Sequence, residues 1–213
     1  IVRVKTDAVC KLSLTIPYDE ETFSTYVTLH DSLGSALDAT ESTVDGWSAT
    51  ITLFTDIEYD NCILIAKGPL TFDLNGHTLT VEPSEGGDGL HVSEGGVVDI
   101  TGDGAFNIIN NTAGEIAYGV RARSGGRATV TNVSAACTAG VVAEDADSAV
   151  EVLENVNSST IGAIATGGAK VLIHGELTVP AEGIYIRLGA GSSPSDFTPD
   201  QGAPGAGDYE GYL

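Results

Sequence analysis

One pattern of about twelve residues recurs along residues 89–189: a glycine, a short alternating strand, a tight turn and a second alternating strand. The copies are GLHVSEGGVVDI (89–100), GVRARSGGRATV (119–130), GVVAEDADSAVEV (140–152), GAIATGGAKVLI (162–173) and the shorter GIYIRLG (183–189). Their first residues are separated by 30, 21, 22 and 21 positions. Such a short and regular spacing is typical of a solenoid protein.

The spacing also restricts the kind of solenoid. It is too short for a strand, helix and strand unit, but it accommodates three short strands joined by tight turns. A leucine-rich repeat has a similar period, but its leucine and asparagine signature is absent here. A looser copy, CILIAKGPLTFDL (62–74), and an earlier strand, ATITLF (49–54), extend the pattern towards the N-terminus. We therefore predict an all-β, single-stranded parallel β-helix of about six coils with three strands per coil, right-handed by the general preference of parallel crossovers.

Composition and charge agree with this fold and exclude several partners. Hydrophobic residues make up 42% of the chain but aromatic residues only 6%, which suits a narrow interior of small and β-branched side chains. The formal net charge of −21 repels nucleic acids and anionic membrane surfaces. No stretch of the sequence approaches transmembrane length. We expect neither nucleic-acid binding nor membrane insertion.

The repeats and the regions on either side of them divide the chain into three predicted parts. Residues 1–47 are expected to form an N-terminal cap of strands and one short helix, which starts near Asp31 as N-cap and buries Leu33, Ala36 and Leu37. Residues 48–189 form the β-helix. Residues 190–213 are rich in Gly, Pro and Ser and predict a loop or tail that packs on the solenoid.

Strand alternation predicts which side chains point outwards. In the first strand of each coil as defined by the repeat, the outward column is Leu64, His91, Arg121, Val142, Ile164 and Tyr185. Its last three members form an apolar stripe that is too continuous for the open surface of an acidic monomer. We expect it to be covered by the C-terminal tail, with Phe197, Tyr209 and Tyr212 as anchors, or by self-association of two copies through Val142, Ile164 and Tyr185.

The third strand supplies the candidate ligand-binding residues. Its predicted outward column is uncharged and polar throughout: Thr52, Thr80, Asn107, Ser134, Asn157 and Thr178. Stacked hydroxyl and amide groups can pair with the hydroxyl groups of a sugar. A strand face that only contacts water is polar as well, so the column also fits a surface without a ligand.

The second strand supplies the candidates for catalysis. Asp73 and Asp99 are predicted to stack on neighbouring coils, with His91 and Arg121 near one edge. Adjacent carboxylates can share a proton or hold a calcium ion. On so acidic a surface, stacked aspartates are commonly only solvated, and a catalytic role is the less favoured interpretation.

The sequence offers little for metals or disulfides. Cys10, Cys62 and Cys137 are too few for a disulfide framework, and the repeat places Cys62 about three coils from Cys137. His77, in the turn Asn-Gly-His, has no second ligand at a usable spacing. We expect free thiols, no metal site and no cofactor required for folding, while calcium binding stays open.

The segments SLGSALDAT (32–40), ATITLFTDI (49–57) and LTFDLNGHTLTV (70–81), followed by short coils, resemble the pectin-lyase-like β-helix domains of large bacterial surface proteins. The resemblance covers roughly residues 27–189. Its phrase DLNGHTL marks a tight turn and is no catalytic signature. The resemblance implies an extracellular or cell-surface location and a glycan, or another host or cell-surface polymer, as partner.

Two functions follow from these observations. The preferred one is a noncatalytic extracellular scaffold or adhesin module that binds carbohydrate. The alternative is a polysaccharide lyase, hydrolase or epimerase acting on acidic glycans. An enzyme would bring Asp, Arg and His side chains together in one groove, whereas a scaffold would leave them scattered.

Overall fold

The computed structural model describes residues 7–17, 22–41, 46–112, 116–189 and 195–197, which form a β-solenoid with one helix near its N-terminus. The elements are β1 (Cys10–Pro17), β2 (Phe23–His30), α1 (Leu33–Glu41), β3 (Ser48–Leu53), β4 (Ile57–Tyr59), β5 (Ile63–Ile65), β6 (Pro69–Asp73), β7 (His77–Val81), β8 (Leu90–Val92), β9 (Val97–Thr101), β10 (Gly104–Asn110), β11 (Tyr118–Arg123), β12 (Arg127–Val130), β13 (Asn132–Ala135), β14 (Ala139–Glu144), β15 (Ala149–Val152), β16 (Val156–Ser158), β17 (Ile161–Thr166), β18 (Lys170–Ile173), β19 (Leu177–Thr178), β20 (Ile184–Leu188) and β21 (Ser195–Phe197). Within this described part, no helix has the length and apolar character needed to cross a membrane.

From β3 to β17, each strand pairs in parallel with the strand three elements later in the chain. The first sheet has the order β18-β15-β12-β9-β6-β3-β1-β2, the second β19-β16-β13-β10-β7-β4, and the third β21-β20-β17-β14-β11-β8-β5. One strand from each sheet makes a coil, and β3 to β20 make six coils. The predicted parallel β-helix of about six three-stranded coils is confirmed.

The N-terminal cap continues the first sheet. β1 pairs antiparallel with both β3 and β2, so the sheet gains two strands beyond the first coil. Helix α1 buries Leu33, Ala36 and Leu37 against the core, as predicted. Its N-cap is Ser32 rather than Asp31, because the Ser32 hydroxyl accepts the hydrogen bond of the Ser35 backbone N–H at 3.2 Å.

A single apolar core runs through all six coils. Its side chains are mostly Val, Ile, Leu and Ala, with an aromatic contact between Phe72 and Phe106 whose ring centroids are 5.1 Å apart. Full burial of such an aliphatic side chain contributes about 1.5–3 kcal/mol. Because each coil buries only a few residues, the stability of the fold depends on stacking the coils.

The glycine that opens the repeat has a steric cause. Gly119, Gly140 and Gly162 lie where the second and third sheets meet. A Cβ atom on Gly140 would lie 2.7 Å from the carbonyl oxygen of Gly162 and 2.7 Å from Cγ1 of Val156. Neither contact is tolerable for a side chain, so the corner requires glycine.

The last coil departs from the predicted register. Ile164 pairs with Arg187, not with Tyr185, and the residue stacked on Gly162 is Tyr185 rather than the expected Gly183. The first five members of the predicted column, Leu64, His91, Arg121, Val142 and Ile164, are stacked as expected. The slip is two residues, which leaves inward and outward faces unchanged.

The same kind of slip separates the two candidate carboxylates of the first sheet. Asp73 pairs with Thr101, and Asp99 pairs with Thr71. The prediction that Asp73 and Asp99 stack directly on each other is therefore wrong, since the pairing offsets them by two residues along the strands.

Candidate functional site: an amide groove on the second sheet

The outer face of the second sheet carries a shallow groove of about 340 Å³ that has no charged residue in its lining. Its floor includes Ile108 and Val133, and the residues around it are Asn107, Ile109, Asn132, Ser134, Asn155 and Asn157. On a chain with a net charge of −21, a groove lined by four asparagines, one serine and three aliphatic residues is a distinct chemical environment. Its asparagine and serine side chains offer both hydrogen-bond donors and acceptors.

Two of these asparagines are fixed by bonds between coils. The Asn132 amide donates to Oδ1 of Asn107 at 3.2 Å and to Oε2 of Glu154 at 3.0 Å. Its own oxygen accepts the backbone N–H of Asn155 at 3.1 Å. The Asn155 oxygen in turn accepts the backbone N–H of Glu176 at 2.9 Å. This ladder makes the groove rigid.

Other polar groups in the groove are available. The Ser134 hydroxyl and the Asn157 amide are exposed, and neither has a hydrogen-bond partner among the described residues. One coil further, Thr178 is exposed in the same column. A rigid surface with unpaired hydroxyl and amide groups can exchange water for the hydroxyl groups of a ligand at small entropic cost.

The predicted polar column is broken into two halves in the structure. Thr80 pairs with Asn107, but Asn107 pairs with Asn132 rather than with Ser134. Ser134 instead pairs with Ile109 and continues to Asn157 and Thr178. The two halves meet side by side in the groove, offset by two residues.

Thr52 does not belong to this face. It lies in β3 of the first sheet, opposite Asp73 and Lys11, and is only 8% exposed. The position on the second sheet is taken by Glu58, which pairs with Thr80. The alternating segment ATITLF fits any of the three sheets by its pattern alone, which is why the sequence did not distinguish them.

Sequence reasoning missed Asn132 and Asn155. Both lie at strand boundaries, outside the middle positions that define a column. Their spacing could have revealed them, because Asn107, Asn132 and Asn155 are separated by 25 and 23 residues, about one coil each.

A second polar cluster lies on the third sheet, around Asp88 and His91. Nδ1 of His91 is 3.0 Å from Oδ2 of Asp88, whose other oxygen accepts the Tyr118 backbone N–H at 3.0 Å. Both side chains are largely buried, at 14% and 9% exposure. Nε2 of His91 is shielded from solvent and has no hydrogen-bond partner. The pair resembles the base and orienting carboxylate of a catalytic dyad, but its basic nitrogen cannot be reached by a solute in this conformation.

Arg121 stacks on His91 and is held by Glu144. Its Nε and Nη2 both donate to Oε2 of Glu144, at 2.8 and 2.6 Å, and its guanidinium lies 5.2 Å from the ring centroid of Tyr118. Burial works against the charged guanidinium, but the hydrogen bonds and charge of Glu144 outweigh it and raise the pKa of Arg121. Burial likewise raises the pKa of the Tyr118 hydroxyl. The arginine is therefore already neutralised by an internal partner.

The four residues proposed for catalysis are divided between two sheets. Asp73 and Asp99 lie on the first sheet, whereas His91 and Arg121 lie on the third. They do not form one site. The carboxylates that accompany His91 and Arg121 are Asp88 and Glu144, which the sequence did not single out as site residues.

Within the described residues, no three His, Cys, Asp or Glu side chains are grouped so that they could hold a metal ion. All three cysteines are free thiols in this structure. Burial, together with the Asp88 carboxylate, raises the pKa of Cys62 to about 11. His77 follows the turn made by Asn75 and Gly76, both at positive φ, and its ring lies 3.6 Å from Asp56.

The apolar stripe predicted on the third sheet is not an open surface at its centre. Val142 is only 1% exposed and packs in a small outward cluster with Tyr118, Ala139, Ile161, Ile164 and Ile184. A self-association surface therefore cannot use Val142.

The tail reaches the solenoid at its last strand. β21 pairs antiparallel with β20, and Arg187 forms a two-bond ion pair with Asp196, at 2.7 and 2.8 Å. The hydrogen bond from Arg187 lowers the pKa of Asp196. Phe197 lies in β21 opposite Ile186, whereas the other predicted anchors, Tyr209 and Tyr212, fall outside the described residues.

Comparisons with protein-family models, curated proteins and solved structures gave no match to this chain.

Proposed function

We propose that the chain is a noncatalytic carbohydrate-binding module of the pectin-lyase-like β-helix type, acting as a scaffold or adhesin outside the cell. The observation that supports this most directly is the groove of the second sheet. There, unpaired hydroxyl and amide groups stand on a rigid asparagine ladder and no charged residue is in the lining. The partner would be a glycan or another cell-surface polymer, at the cell surface or in the extracellular medium.

The charge distribution favours uncharged glycans over acidic ones. The chain carries 30 acidic and 9 basic residues, so a polyuronide would be repelled unless a basic group compensated it. Arg121, the best-placed arginine, already pairs with Glu144. Neutral sugar hydroxyls need only the donors and acceptors that the groove offers.

An enzyme acting on acidic glycans is the alternative, and the Asp88–His91 pair beside Arg121 is the observation that favours it. Two features oppose an enzyme: Nε2 of His91 is shielded from solvent, and the guanidinium of Arg121 is already paired with Glu144. We therefore rank the alternative below binding. Neither proposal requires a cofactor, and calcium would be a ligand of the alternative only.

The test is a glycan-array screen of the wild-type chain and of Ser134→Ala and Asn157→Ala. We expect binding to neutral glycans that each substitution weakens by roughly three- to tenfold, the effect of losing one neutral hydrogen bond. Thr129→Ala, on the outward face of the first sheet, is the matched control and should bind like wild type. Equal binding by all variants would contradict the groove as the site.

A parallel assay addresses catalysis. The same glycans, with polyuronides added, are incubated with wild type and with His91→Ala, and the release of unsaturated uronides and reducing ends is measured. We expect no release. Release that His91→Ala abolishes would overturn the noncatalytic proposal in favour of the cluster on the third sheet.

A further inference from the structure

The edge strand β2 is the most exposed apolar element among the described residues. It is the outermost strand of the first sheet and pairs only with β1. Its exposed large hydrophobic side chains are Phe23 at 64%, Tyr26 at 57%, Val27 at 61% and Leu29 at 39%. Phe23, Val27 and Leu29 share one face of the strand, and Tyr26 lies on the other.

Such an edge is normally protected. Natural edge strands carry Lys, Pro, inward-pointing charges or a bulge, because their free N–H and C=O groups otherwise recruit another strand. β2 has the sequence FSTYVTLH, with no proline and no Asp, Glu, Lys or Arg. Its pairing with β1 is continuous over eight residues, from Cys10 opposite His30 to Pro17 opposite Phe23. The strand therefore has the features of a pairing surface.

We propose that β2 pairs antiparallel with β2 of a second copy of this chain. Length is the first reason for this occupant. The other end strands of the three sheets in the described chain, β4, β5, β18, β19 and β21, have only two to four residues. Among these end strands, only another β2 is long enough to pair along nearly the whole of this edge.

Charge is the second reason. Two copies with a net charge of −21 repel each other over most of their surfaces. At β2 they can approach without placing carboxylates of the two strands opposite one another, because the strand has none. The nearest charged neighbour on β1 is Lys11, opposite Leu29.

Strand parity restricts the register of the pair. A two-fold axis perpendicular to the sheet keeps the outer faces on the same side, so odd-numbered residues must face odd-numbered residues. At this parity an eight-residue strand can pair over seven residues. The register centred on Tyr26 places Phe23 opposite Leu29 of the other copy, and Thr25 opposite Val27. We choose it because the register centred on Val27 would place Phe23 opposite Asp31. Tyr26 then faces its own copy at the axis. The two solenoids meet by their N-terminal ends, and their first sheets become one continuous sheet.

The test begins with the mass of the full chain in solution, measured by light scattering across a series of protein concentrations. We expect a dimer in wild type, and a dissociation constant that falls as salt is added because the like charges are screened. Val27→Lys places a charge in the centre of both strands and should raise that constant by about tenfold or more. Leu64→Lys is the matched control, since Leu64 is 56% exposed on the third sheet, and it should leave the dimer unchanged.

Cross-linking checks the register. In a Cys62→Ser background, Tyr26→Cys should form a disulfide-linked dimer on oxidation, because directly opposed Cα atoms lie about 4.5–5.5 Å apart. Ser24→Cys should not, since the two copies of residue 24 would be four residues apart, roughly 13 Å.

Thermal melts of all variants confirm that they remain folded. A wild-type chain that stays monomeric, or a dimer that survives Val27→Lys, would overturn the proposal. A dimer that Val27→Lys breaks, but that Tyr26→Cys does not cross-link, would overturn the register.

Discussion

Asn110 is fully buried in the wall of the solenoid, and all of its side-chain bonds serve the backbone. Its amide donates to the carbonyl oxygens of Gly87 and Tyr118, both at 2.8 Å, and its oxygen accepts the Thr112 N–H at 3.1 Å. Gly87 lies in the long connection between β7 and β8, and Tyr118 opens β11 directly after the long connection that follows β10. A buried amide is stable here because every group has a partner, and it fixes both connections to the wall.

Inward and outward positions of neighbouring strands predict opposite responses to charge. Val141 is 0% exposed, so Val141→Asp would bury a carboxylate without a partner and should destabilise the fold by about 4 kcal/mol or more. Glu151 is 43% exposed and contacts His174 at 2.7 Å, so Glu151→Lys should change the free energy of unfolding by less than about 1 kcal/mol. Urea denaturation of both variants measures the difference. Similar losses in the two would show that the assigned faces are wrong.

At the scale of the strand, alternation predicts whether a side chain points inwards or outwards. It predicts much less well which residue of the adjacent coil lies beside that side chain. A shift of the pairing register by one residue would expose the core side chains and bury the surface ones, so the hydrophobic pattern disfavours it strongly. A slip of two residues preserves every inward and outward side chain. The errors at Tyr185, at Asp73 and Asp99, and between Asn107 and Ser134 are all slips of two.

The sequence therefore predicts the coils, the core and the polar character of the second sheet, but not the groove. The groove depends on Asn132 standing beside Asn107 and on Asn155 one coil further, which is a matter of register. The register depends in turn on the lengths of the turns and on contacts between side chains of different coils. A single sequence carries neither with enough precision.

The glycine corner between the second and third sheets gives a test of backbone packing. Gly140→Ala should destabilise the fold by roughly 1–3 kcal/mol, because the new Cβ would overlap the Gly162 carbonyl and Val156. Gly34→Ala is the control. It lies in α1, where its Cβ would come no closer than 3.8 Å to Tyr59, so alanine should stabilise by about 0.5–1 kcal/mol. Chemical denaturation should show opposite signs, and a stable Gly140→Ala would refute the steric role of the corner.

At the scale of the whole molecule, one continuous apolar core runs through the stacked coils. No metal-ligating group of three side chains occurs in the described chain. We expect that EDTA leaves the melting temperature unchanged, because the described core consists of stacked apolar side chains and contains no group of metal ligands. Differential scanning calorimetry with and without chelator measures this. A fall in melting temperature that added calcium reverses would contradict it.

The order of the strands in the three sheets also determines how the molecule comes apart. Because each coil pairs only with its neighbours along the solenoid, and the end coils also with β1 and β21, the final coil can detach while the coils before it stay paired. The final coil is the weakest link, since Ile173, Leu177 and Ile186 are only partly buried while the inner coils are almost fully enclosed. A force that pulls on the C-terminal end would therefore unravel the solenoid one coil at a time. Each step would release about 22 residues of slack, close to the interval between its glycines.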